Sequence, residues 1–80
     1  MDVEQDLTDT FGGKAVGLAF NPGGNSQVYA VKQQFARIIN GLNATREEAT
    51  DGEVKRMLSV AITEAQTAQM WAVKAITWGQ

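Results

Sequence analysis

Cysteine and histidine are absent, and proline occurs once. Without cysteine there is no disulfide framework. Without either residue, nearly every zinc site and all imidazole-based acid–base catalysis are excluded. No apolar run approaches the roughly 20 residues needed to span a bilayer. The opening residues, MDVEQDLTDT, are acidic and polar, unlike a secretory signal. The formal net charge is −2, and there is no dense Lys/Arg cluster of the kind that holds duplex DNA. No pair of acids has an obvious catalytic setting, and Ser59 and Thr63 have no base nearby in sequence. A non-enzymatic role, with no cofactor, metal, membrane or DNA, is therefore expected.

What is present is one small domain of 80 residues. A core from so short a chain rarely supplies more than about 3–5 kcal/mol without disulfides, metal or oligomerisation. Association with other copies is the remaining form of support. Charge is unevenly spread. Asp2, Glu4, Asp6 and Asp9 fall in the first ten residues, while Lys14, Lys32, Arg37 and Arg46 form a stretch with no acid before Glu47. The middle of the chain is locally cationic, which fits either a solvated surface or a site for an anion.

The pattern predicts an all-α, two-helix antiparallel hairpin with an extended N-terminal arm. Residues 1–10 read as a mobile acidic tail and residues 11–80 as the domain. The second helix, over about 51–78, contains the longest run without Gly or Pro, from Glu53 to Trp78. Val54, Leu58, Ala61, Ala65, Ala68, Ala72 and Ala75 recur at alternating steps of four and three, a heptad-like seam. Met57, Ile62, Met70, Trp71, Val73, Ile76 and Trp78 lie beside it, so one neighbouring helix is too little to cover the apolar surface. The first helix is expected over about 27–42, with a stripe of Val28, Val31, Phe35, Ile38 and Leu42, Gly41 as its left-handed cap, and Lys32 and Arg37 off the stripe. The connector NATREEAT offers two helix starts, Thr45 with Glu48 and Thr50 with Glu53. Ahead of the first helix, Val16, Leu18 and Phe20 alternate with small residues as in an extended arm. Asn21-Pro22-Gly23-Gly24-Asn25-Ser26 is a turn, with Asn25 or Ser26 as helix cap.

Three local features bear on chemistry. The glycines before the first helix either turn the chain or present free amides to an anion, with Lys32 adding charge. Phe20, Tyr29, Trp71 and Trp78 either pack or stack on a base. Glu47, Glu48, Asp51 and Glu53 either gather a cation or complement the start of the second helix.

Taken together, the order of Phe20-Asn21-Pro22, Val31-Lys32, Arg56, Ala61, Thr63, Ala68, Met70-Trp71-Ala72 and Ala75-Ile76 resembles the small phage proteins that share the anti-CBASS/anti-Thoeris hairpin domain. The resemblance covers roughly residues 20–78. It implies a sponge in the cytoplasm of the infected bacterium. Such proteins form compact homo-oligomers, typically hexamers, and sequester cyclic nucleotide second messengers without cleaving them. Cyclic dinucleotides sit between protomers, some members also bind cyclic trinucleotides, and relatives bind cyclic ADP-ribose isomers. The resemblance carries ligand binding to Phe20, Asn21, Pro22, Lys32, Arg56 and Thr63. The residues themselves add Gly24 and Tyr29. The competing expectation is a helical-hairpin interaction module or inhibitor with no nucleotide ligand.

Overall fold

The computed structural model describes residues 7–79, and these contain helices and turns but no strand. Three helices carry the architecture: α1 over Phe11–Ala15, α2 over Ser26–Glu48 and α3 over Gly52–Ile76. Residues 7–9 are also helical. The long helices α2 and α3 pack as a hairpin, and α1 lies against α2.

The arm is helical where alternation predicted an extended segment. Thr10 caps α1, its side chain accepting from the Gly13 amide at 3.1 Å. At the other end, Leu18 N–H donates to the Gly13 carbonyl and Gly17 N–H to that of Lys14, with Gly17 at φ 63°. This is a Schellman stop, which needs a residue tolerant of the left-handed region. Val16 and Leu18 are buried as the alternation demanded, but from a helix end and a turn. The predicted tail also divides. Residues 1–6 lie outside the described residues, whereas Leu7 belongs to the core.

α1 sits so close to α2 that side chains have no room between them. A Cβ on Gly12 would stand 2.2 Å from the Ala36 carbonyl oxygen. Asn40 fastens the contact by accepting from the Gly12 amide at 2.7 Å and donating to Thr10 Oγ1 at 2.9 Å. Because α2 is flanked on two sides, its buried line is Val28, Lys32, Ala36 and Ile39, about one residue round from the predicted stripe. Ile38 is exposed, and Lys32 is on the buried line rather than off it.

Helix α2 runs through Gly41, whose φ is not positive, and ends at Glu48. Leu42 packs against the core, and Arg46 donates to Asn43 Oδ1 at 2.7 Å and to Ser59 Oγ at 2.9 Å while lying 5.6 Å from the Phe11 ring. Those contacts outweigh the roughly 1 kcal/mol that a glycine costs inside a helix. Neither predicted capping box starts α3. Asp51 does, accepting from the amides of Glu53 and Val54. On α3 the buried positions are Ile62 and Gln69, with Ala68 and Ala75 of the expected seam exposed.

Candidate functional site

The antiparallel hairpin brings the last turns of α3 beside the first turn of α2, and residues 20–25 bridge them. Between these pieces lies a cleft of about 220 Å³ lined by Phe20, Asn21, Pro22, Gly23, Asn25, Val28, Lys32, Val73 and Thr77. It is the strongest candidate for a small-ligand site among the described residues, being concave and largely apolar with a few polar groups.

The turn is held from within. Asn21 Nδ2 donates to the Asn25 carbonyl at 2.8 Å, and Asn21 Oδ1 accepts from the Asn25 amide at 3.3 Å. Asn25 Oδ1 then caps α2 by accepting from the amides of Gln27 and Val28. The Gly24 and Tyr29 amides donate to the carbonyls of Asn21 and Asn25. The expectation of free turn amides for an anion therefore fails at Gly24, Asn25, Gln27, Val28 and Tyr29, because the turn's own asparagines and carbonyls occupy them. The two asparagines shape the cleft, and its cationic donor is Lys32.

Lys32 is only 6% exposed. Its ammonium donates to the carbonyl of Gly17 at 3.1 Å and to that of Phe20. It also lies 5.7 Å from the centre of the Phe20 ring, within cation–π range. Burial lowers its pKa below the ordinary lysine value. An ammonium has three N–H donors, so two bonds leave one for a ligand. Phe20 itself is 70% exposed, with its ring at the mouth of the cleft.

The structure thus gathers Phe20, Asn21, Pro22 and Lys32 of the predicted site residues. It does not bring in the others within one chain. Gly24 is exposed, has φ 62° and lies outside the lining. Tyr29 packs against the core cluster. Arg56 is exposed and paired with Glu53, its Nε donating to Oε1 at 2.9 Å. It stands 17 residues before Val73 on one helix, about 25 Å away at roughly 1.5 Å per residue. Thr63 is exposed and also removed from the cleft along α3. Three of the acids near the connector have local partners: Asp51 caps α3, Glu53 pairs with Arg56, and Glu47 accepts from Asn43 at 3.2 Å.

Gly23, Asn25, Val28, Val73 and Thr77 also line the cleft and were not among the site residues expected from the sequence; of these, Val73 and Thr77 come from the far end of the chain. The signal was available, since an antiparallel hairpin of two long helices sets the end of the second beside the start of the first. Thr77 Oγ1 donates to the Val73 carbonyl at 2.8 Å, which points this side of the cleft toward apolar contact and acceptor capacity.

No helix among the described residues is long and apolar enough to cross a membrane. No curated protein and no solved structure matches the chain. The family model described as "Acb2/Tad1, hairpin domain" matches residues 13–77, a span holding α2, α3 and every residue that lines the cleft. On that match the chain belongs to the Acb2/Tad1 hairpin-domain family.

Proposed function

We propose that this protein binds cyclic oligonucleotide second messengers and holds them intact, so that the bacterial immune effectors they would activate stay silent. Family membership supports a phage anti-defence role. The observation that carries the ligand class is the pairing of an exposed aromatic face, Phe20, with a buried ammonium, Lys32, at one cleft. An aromatic face stacks on a nucleobase, and a lysine ammonium donates to a phosphate oxygen. The cleft volume is below the usual range for a site that encloses a drug-sized ligand. One protomer then holds one nucleotide half, and a second copy covers the rest. The working form is a homo-oligomer, with a hexamer as the expected count, in the cytoplasm of the infected cell. Arg56 and Thr63 serve a ligand only through such an assembly. The reading includes no chemical step, and the ligand leaves as it entered.

Titration calorimetry with a cyclic dinucleotide, a cyclic trinucleotide and a cyclic ADP-ribose isomer tests this. At least one should bind, and heat-denatured complex should release it unaltered by chromatography. A hundredfold excess over Kd would add about 2.7 kcal/mol of stability. Hydrolysed product would overturn sequestration.

The exposed Met57, Met70 and Trp71 on α3, with Trp78 just beyond its end, favour a second reading, a module that docks on another protein. That reading predicts no heat with any of the three ligands.

A further inference from the structure

The Phe20 ring has little packing of its own. It is exposed, and the turn that carries it is tied at one end by the Phe20 amide donating to the Gly17 carbonyl at 2.9 Å. On its other side, the Asn21–Asn25 bonds hold the chain. Between these ties, the Gly17 and Phe20 carbonyls converge on a single side chain from α2, 15 and 12 residues away. That side chain stands on the most buried line of the helix, between Val28 and Ala36.

We propose that Lys32 is a positioning residue for Phe20: its ammonium latches the 17–20 turn to α2 and so fixes the ring at the mouth of the cleft before any ligand arrives. This rests on Phe20 being the base-stacking surface of the proposed function. It differs from attraction of a phosphate, because it acts in the ligand-free protein and on an uncharged part of the ligand. Latch and phosphate contact also share one group, so a ligand oxygen on the third N–H stiffens the turn that carries the stacking ring.

Amide hydrogen exchange on the ligand-free protein separates these roles. Lys32→Met keeps an apolar stem and loses the donors. The Phe20 amide should exchange roughly tenfold faster or more, as expected for losing bonds to a charged donor. The amides of Ile39 and Ile62 in the core should be unaffected. The chain has no other cysteine, so Lys32→Cys alkylated with bromoethylamine while unfolded, then refolded, rebuilds a lysine isostere at that site alone. This form should recover the slow exchange, and unmodified Lys32→Cys should not. Equal Phe20 exchange in the wild type and Lys32→Met would overturn the proposal. So would accelerated exchange throughout α2 and α3 in both variants, since Lys32 would then be a prop for the whole fold. Failure of the wild type to bind any cyclic nucleotide would strike the functional reading while leaving the latch intact.

Discussion

At Gly12 the fold turns on a single missing methyl group. The Ala36 carbonyl occupies the place where a Cβ would go, and the Gly12 amide is satisfied by Asn40. Gly12→Ala should therefore cost about 1–3 kcal/mol through forced separation of α1 from α2, measured by urea unfolding. Phe20 is the opposite case. Its exposure predicts that Phe20→Ala leaves stability within about 0.5 kcal/mol. The same change should weaken ligand binding by about 1–3 kcal/mol, the worth of one stacked base. Lys32 adds a pH dependence. Burial lowers its pKa from the ordinary 10.5, so the unfolded chain binds that proton more tightly than the folded one. The stability contributed at this position rises as pH climbs from the lowered value toward 10.5 and is smallest on the acid side. Unfolding free energies across that alkaline window should move in favour of wild type over Lys32→Met as pH increases. A difference independent of pH would contradict the assignment of the shift to Lys32.

At the level of elements, the two long helices and the Asn25 cap were legible because apolar spacing and turn chemistry are local signals. The rotation of both buried faces was not, because it depends on α1 lying on α2, a contact set by glycines that carry no hydropathy. Thr10 and Gly17 flank α1, but the alternation of Val16 and Leu18 pointed to an extended arm, and both patterns bury Val16 and Leu18. Gly41 misled for a related reason. A glycine after an apolar stripe reads as a stop, yet the polar network of Arg46, Asn43 and Ser59 carries the helix past it. A Cβ at Gly41 would meet nothing within 4 Å and the backbone is helical there. Gly41→Ala should stabilise the protein by about 0.5–1 kcal/mol, readable as a raised urea midpoint. The cleft followed the same division. Phe20, Asn21, Pro22 and Lys32, singled out by the family resemblance, line it together, whereas Val73 and Thr77 needed the hairpin register, and Arg56 and Thr63 share no cleft with them in one chain.

The molecule as a whole is a slab of 44 × 32 × 13 Å. Its Cα radius of gyration is 13.6 Å, against about 11.6 Å for a compact globule of this length. Apolar surface stays uncovered on α3 and just beyond it, where Trp71 is 65% and Trp78 78% exposed. The proposed stacking of copies around shared ligands would cover these faces and complete the cleft. Sedimentation velocity with a cyclic dinucleotide, followed at the absorbance of the nucleotide, tests both parts at once. The nucleotide should move with a boundary of several protein copies. A single-chain protein boundary, with the nucleotide left behind in free solution, would contradict the account.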